Sequence, residues 1–276
     1  MKGFLLMKYK LLAFDLDGTL TTSEKKISSR TREAIYAARR AGCTIALASG
    51  RPVYGIMPVA KELELESLGG YILAYNGGCI IDCKTGNIIY DKKIPSSLNA
   101  GICQFAMERS YGILTYEDDC VITNQKDNRY VQIEAGINHL EVKQIDHLDT
   151  HVTFPVNKFL ITEDPETVEN AIPDVRKAFP ELNVFTSAPF FMEIVPQNID
   201  KADTLNYLLK HLGLDISELA AFGDGGNDIN MLKHSALGIA MANASDECKN
   251  AADYITADND HDGCGIAIEK MMTGEL

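Results

Sequence analysis

The sequence predicts an α/β protein: a Rossmann-like parallel-sheet core, discontinuous in the chain, with a large α+β domain inserted into it. Three observations predict this. The first 80 residues alternate short apolar runs with helical spacing, which is the pattern of a parallel sheet with crossover helices. The middle of the chain then changes to paired short strands, whose short gaps suggest antiparallel pairing on a one-faced sheet. The first pattern resumes near Asp200. The core is therefore expected at residues 1–80 plus 197–276, and the insert at 81–196.

The elements follow in order. Leu11 to Phe14 is an apolar run that reads as a strand buried on both faces. Ser28 or Ser29 caps a helix to about Arg40, and Gly42 closes it. Cys43 to Ala48 is a second buried strand, ending in Ser49-Gly50-Arg51-Pro52. A helix from about Val53 to Leu65 follows, and then a third strand, Tyr71 to Tyr75, ending in Asn76-Gly77-Gly78. Within the insert, strands are expected at Ile88–Ile94, Ile113–Glu117, Cys120–Asn124, Lys158–Thr162, Val184–Thr186 and Phe191–Val195. Helices are expected near Ser97–Arg109, Asn128–Ala135 and Pro165–Phe179. After Asp200, the spacing of Leu205, Leu208, Leu209 and Leu212 marks a helix from Lys201. Leu219 to Phe222 is a strand ending in Gly223-Asp224-Gly225-Gly226-Asn227-Asp228, with a helix beyond it to about Lys233. Strands at Leu237–Met241 and Tyr254–Thr256, a helix near Asp246–Ala251 and a last helix from about Cys264 complete the chain.

Composition excludes several functions. The chain has 276 residues, 46% of them hydrophobic, enough for two sizeable cores. A formal charge of −13 argues against nucleic acid or an anionic membrane as the main partner. Seven cysteines show no CxxC pair; Cys79 and Cys83 are the nearest two, and the set suits a reducing cytoplasm. No stretch approaches the roughly 20 apolar residues of a membrane span. The apolar start is too short for a signal peptide, and Met7 is an alternative start to Met1.

The chemistry lies at the strand ends. Asp15 and Asp17 follow the first strand two residues apart, and a strand period of two sets both carboxylates on one side of its C-terminal end. Gly18 then turns the chain away. Parallel strands bring this group together with Ser49-Gly50-Arg51 and with Asp224, Asn227 and Asp228 at the edge where open α/β sheets bind ligands. Asp15, Asp17 and Asp224 are hard oxygen donors, better suited to Mg²⁺ than to zinc. The Ser49 hydroxyl, backbone N–H groups near Gly50 and the Asn227 amide suit phosphate oxygens. Lys201 opens its helix, where the macrodipole disfavours a cation, and this misplacement points to an anion nearby.

Asp15-Leu16-Asp17-Gly18-Thr19, Ser49, Lys201 and Gly223-Asp224-Gly225-Gly226-Asn227-Asp228 resemble, in that order, the four motifs of the haloacid dehalogenase superfamily. Gly238 to Ala244, Ala252 to Thr256 and Asn259-Asp260 resemble its Cof-type sugar-phosphatase branch, whose cap is inserted after the third strand. The resemblance implies that Asp15 is a nucleophile forming an aspartyl-phosphate. It makes Asp17 the general acid, then the base. Asp15, the Asp17 carbonyl and Asp224 would hold Mg²⁺, with Asp228 in support. Leu16, Ser49, Gly50, Lys201 and Asn227 would contact the phosphoryl group. One departure is Lys201-Ala202, where the family often has Lys-Gly.

The expected function is thus a Mg²⁺-dependent phosphatase of small phosphomonoesters, sugar phosphates or related metabolites, cytoplasmic, and a monomer or small homo-oligomer. A phosphomutase and a non-catalytic phosphate-metabolite sensor are the alternatives. The cap would choose the substrate, but Glu117, Asp118, Arg129 and Glu193 read equally well as surface residues. His139, His147 and His151 also read as surface. Asp258-Asn259-Asp260-His261-Asp262-Gly263 with Glu269 matches a calcium-loop pattern. It lacks a preceding helix, and Gly265 stands where an apolar residue belongs, so it reads as a polar loop into the last helix.

Overall fold

The computed structural model describes residues 7–276. The apolar start and the choice between Met1 and Met7 fall on residues 1–6, outside the described residues. The chain divides into two compact units, Met1–Tyr90 with Asp200–Leu276, and Asp91–Ile199.

The strands, in chain order, are β1 (Leu11–Phe14), β2 (Thr44–Ala48), β3 (Tyr71–Ala74), β4 (Cys79–Asp82) and β5 (Ile88–Asp91). Next come β6 (Gly112–Glu117), β7 (Cys120–Thr123), β8 (Glu141–Gln144), β9 (Phe159–Thr162), β10 (Leu182–Ala188) and β11 (Phe191–Pro196). The chain then forms β12 (Leu219–Gly223), β13 (Leu237–Ala240) and β14 (Tyr254–Ile255).

In the first unit the sheet order is β14-β13-β12-β1-β2-β3-β4-β5. The strands from β14 through β3 are parallel, and β4 is antiparallel to β3. Alternation along β1 divides the core. Leu12 and Phe14 pack on one face with residues of the helices Ser29–Arg40 and Gly263–Thr273. Leu11 and Ala13 pack on the other with Leu205, Leu208 and Leu209 of the helix Lys201–Leu212. Register then sets the strand ends level: Phe14 lies opposite both Phe222 and Leu47, and Ala48 opposite Leu73. The rings of Phe14 and Phe222 stack with centroids 4.5 Å apart. Asp15, Ser49 and Asp224 each follow immediately after such a pair or one residue on.

Several expectations change. The strand expected at Ile88–Ile94 within the insert is the edge strand β5 of the core sheet. The second unit accordingly starts at Asp91 rather than residue 81, because β4 pairs with β3 before the chain leaves. The second helix stops at Glu62, since Glu64 takes a left-handed conformation with φ of 55°, and a short turn Leu65–Leu68 follows.

The second unit is a six-stranded sheet in the order β10-β11-β9-β6-β7-β8. Its pairs are antiparallel except for β7 with β8. β8 is a polar edge strand without apolar alternation, so nothing in its sequence marked it. One face carries residues of the helices Ser96–Glu108 and Pro165–Ala178. The other is not bare, as a one-faced sheet would be: Leu114, Val121, Leu160 and Phe191 pack there with Tyr130, Val131 and Ala135 of the helix Arg129–Asn138. Glu193 is not a surface residue either. It is buried, with Lys158 Nζ 3.4 Å from its Oε1. Glu117 pairs with His151 at 3.0 Å, and Arg129 with Asp164.

Candidate active site

The Asp15 amide donates to the Phe222 carbonyl at 3.0 Å, extending the sheet by one residue and fixing the carboxylate at its edge. Lys201 reaches it from the start of the helix Lys201–Leu212. The Asp200 side chain accepts from the Ala202 amide at 2.7 Å and caps the helix, which makes Lys201 its first residue. The Lys201 ammonium is fully buried and donates to Asp15 Oδ1 at 2.6 Å and Asp228 Oδ1 at 2.7 Å. Asp228 Oδ2 accepts the amides of Asp224 and Gly225, both at 3.0 Å. The chain can pass this close only because residue 223 is glycine: a Cβ there would lie 2.4 Å from the Asp228 Cβ.

Asp224 is held from the first strand end. The Thr19 hydroxyl donates to its Oδ1 at 2.7 Å. Gly18 has φ of +82°, and a Cβ on it would lie 2.4 Å from Asp224 Oδ2, so only glycine fits. Asp15, Asp224 and Asp228 thus each offer a carboxylate oxygen, all within 4.8 Å of one another, the sole such acidic, His or Cys group among the described residues.

The electrostatics follow from this crowding. Burial first, then the charge of Asp228, pushes the Asp15 carboxyl up to about 8, against the lowering pull of Lys201. Burial also raises Asp224. Lys201 is the reverse case: burial opposes its charge, but Asp15 and Asp228 together hold its proton more tightly than usual. The arrangement is short of positive charge, and hard oxygen donors around such a gap fit Mg²⁺.

Asp17 stands apart. β1 ends at Phe14, so the strand period does not carry through to Asp17, and the two aspartates have different partners. Arg51 holds Asp17 in a fork, Nε to Oδ2 at 2.7 Å and Nη2 to Oδ1 at 2.6 Å, and Lys25 Nζ adds a bond of 2.7 Å to Oδ1. Burial alone would raise its carboxyl, but these two cations hold it below the usual carboxylate range.

Of the remaining expected residues, Leu16 is buried, and its carbonyl accepts from the Thr19 and Thr21 amides and the Thr21 hydroxyl. Ser49 is buried, and its Oγ accepts from the Arg51 amide at 3.2 Å. Gly50 lies against Asn76, whose Oδ1 would be 3.1 Å from a Cβ at that position. Asn227 sits in the short 3-10 turn Gly226–Asp228, before a helix of six residues, and its amide donates to Asn76 Oδ1 at 2.9 Å. Asn76 therefore joins two of the expected groups, and it was not singled out. The signal was present: Asn76 follows a strand parallel to β2, so the same convergence argument applies to it. Thr19, Lys25 and the Arg51 side chain were also not assigned roles.

The sequence pattern of the haloacid dehalogenase-like hydrolases matches residues 12–268. A haloacid dehalogenase-like hydrolase of Bacteroides thetaiotaomicron has a crystal structure similar to this one, with TM-score 0.92 and 42% identity over 96% of this chain and 100% of that one. The HAD subclass IIB sugar phosphatase BT4131 is 28% identical, with TM-score 0.81 over 97% of this chain and 100% of its own. HMP-PP phosphatase of Yersinia pseudotuberculosis is 30% identical over 244 residues, 87% of this chain and 86% of that protein. The chain, with its Rossmann-like core and inserted cap, belongs to the haloacid dehalogenase-like hydrolases and is a phosphatase.

Proposed function

We propose that this phosphatase uses Mg²⁺ and hydrolyses small phosphomonoesters, sugar phosphates or related metabolites, through an aspartyl-phosphate at Asp15. The observation that carries the proposal is the buried Lys201 ammonium between Asp15 and Asp228, with Asp224 completing an oxygen-donor cluster. The sugar-phosphate class is supported by likeness to BT4131, itself a sugar phosphatase.

Asp15 attacks phosphorus, forming an O–P bond as the ester O–P bond breaks. Asp17 gives a proton to the departing oxygen, then takes one from the water that hydrolyses the phosphoenzyme. Release of inorganic phosphate restores Asp15. Lys201, Ser49, Asn227 and the backbone at Leu16 and Gly50 neutralise and orient the phosphoryl oxygens. Asp15, the Asp17 carbonyl and Asp224 would hold Mg²⁺, which when bound would supply the positive charge that keeps Asp15 ionised. Asp228 supports them from behind, its two oxygens accepting from Lys201 and two amides. Asp17 acts as an acid once its carboxyl parts from Arg51 or Lys25. The inserted unit selects the alcohol portion of the substrate.

The test is a panel of several dozen phosphorylated metabolites with Mg²⁺. Release of phosphate from a subset of sugar phosphates, abolished by chelation, is the expected result. Phosphate release at equal rate in chelator, or isomerisation of a hexose 1-phosphate without release, would contradict it.

A further inference from the structure

The loop with the calcium-loop pattern has a different use in this fold. The carboxylates of Asp258, Asp260 and Glu269 are already engaged. Asp258 accepts from the Asp260 amide at 3.0 Å and pairs with the His261 ring at 2.6 Å, and Glu269 is held in a fork by Arg30. The rest of the loop reaches the segment that leaves β1. Asp260 Oδ1 accepts from the Ser23 amide at 2.8 Å, and its Oδ2 from the Ser23 hydroxyl at 2.7 Å. Asn259 Nδ2 donates to the Thr21 carbonyl at 2.9 Å. Asn243 joins the two, donating to the Gly18 carbonyl at 2.7 Å and accepting from the Asn259 amide at 3.1 Å.

The segment so held carries the proposed proton donor and one of its cations. Thr22 and Lys26 close a turn, the Thr22 amide donating to the Lys26 carbonyl at 2.9 Å and the Lys25 amide to the Thr22 carbonyl at 2.8 Å. Lys25, in a left-handed conformation with φ of 60°, lies at the turn's end and reaches back to Asp17. Apolar packing does little to fix this turn, because residues 23–26 are exposed and an open cavity of about 600 Å³ lies beside Ser23, Lys25 and Asp260. Between the buried Leu20 and Ile27, the exposed residues are held by hydrogen bonds.

We propose that Asp260, with Asn259, is a positioning residue for the proton-transfer step: it fixes Ser23, hence the turn and Lys25, and thereby the carboxyl of Asp17. The proposal rests on the reading of Asp17 as proton carrier, so its test contains a control for that reading. General acid catalysis matters for a poor leaving group and little for a good one. The measurement is kcat/KM, which reports phosphoryl transfer to the enzyme, for an alkyl phosphate and for p-nitrophenyl phosphate, in Asp260→Ala, Asp260→Asn and Asp17→Asn.

Asp260→Ala is expected to lower kcat/KM for the alkyl ester by about tenfold, a fraction of the 10²–10⁴ that a general acid contributes, and to leave the aryl ester within about twofold. Asp260→Asn, whose oxygen can still accept from the Ser23 amide and whose amide nitrogen can donate to the hydroxyl, restores the alkyl rate. A fall equal for both esters, or none for either, overturns the proposal, provided Asp17→Asn shows the selective loss. If Asp17→Asn is unselective, the proton-carrier reading fails instead. Hydrogen exchange of residues 17–27 then decides the tether without turnover. Faster exchange in Asp260→Ala than in wild type and in Asp260→Asn supports it; unchanged exchange overturns it.

Discussion

Lys201 and Asp15 form a buried ion pair of 2.6 Å across the edge of the core sheet, with the ammonium shared by Asp228. The pair explains why a cation opens a helix, where the dipole opposes it. It also leaves the three carboxylates of the site with a single cation between them, two positive charges short of neutrality.

Removing that ammonium should therefore unsettle the protein as well as its activity. Lys201→Met leaves Asp15 and Asp228 buried without their cation, and breaking a buried pair in this way costs about 3–5 kcal/mol. Denaturant unfolding in chelator should show a loss of this size, and saturating Mg²⁺ should recover part of it. Unchanged stability would contradict the described geometry.

The pH dependence of stability follows from Asp15. Its carboxyl lies up to about 8 in the folded chain and near 3.9 when unfolded. Between those values the folded state binds more protons, so this group's contribution makes stability fall as pH rises from about 4 to about 8. Mg²⁺ bound as proposed would favour the ionised carboxylate and displace the proton. The Mg²⁺-induced rise in Tm should then be larger near pH 8 than near pH 6, and metal binding should release protons in calorimetry. An equal rise at both values would contradict this.

Arg51 should set the pH range of proton donation. Its side chain is mostly buried and forks onto Asp17. Without it, burial raises the Asp17 carboxyl and only Lys25 opposes. Arg51→Met should move the alkaline limb of kcat/KM for an alkyl phosphate to higher pH, and Lys25→Met should shift it in the same direction. An unmoved limb in both variants would separate Asp17 from the proton transfer.

Gly18 should control the metal through Asp224. An alanine there is strained at φ of +82° and places its Cβ 2.4 Å from Asp224 Oδ2, which must shift. Gly18→Ala should weaken Mg²⁺ binding by about tenfold, the lower end of what disturbing a ligand's support costs. Calorimetric affinity equal to wild type would count against Asp224 as a ligand.

Much of this site could be read from the chain. Leu11–Phe14 and Leu219–Phe222 are uninterrupted apolar runs, which mark buried parallel strands, and each is followed within two residues by an aspartate. Parallel register turns that pattern into proximity, as the pairing of Phe14 with Phe222 shows. Lys201 was legible because its charge was in the wrong place for its helix. The partner of Asp17 was not legible. Parallel register brings Arg51 to the same sheet edge, but nothing in a spacing of 34 residues shows that its guanidinium takes Asp17 as partner. The second unit was read least well, since β8 has no apolar alternation, and the burial of Glu193 depends on Lys158, which lies 35 residues away and has no fixed spacing to it.

The central claim is that Asp15 carries the phosphoryl group. Rapid quenching during turnover of a phosphomonoester with Mg²⁺, followed by peptide mass analysis, tests it most directly. The account predicts one acid-stable, base-labile phosphoryl group on the peptide containing Asp15, and neither label nor turnover in Asp15→Asn. Near-full turnover by Asp15→Asn would contradict it.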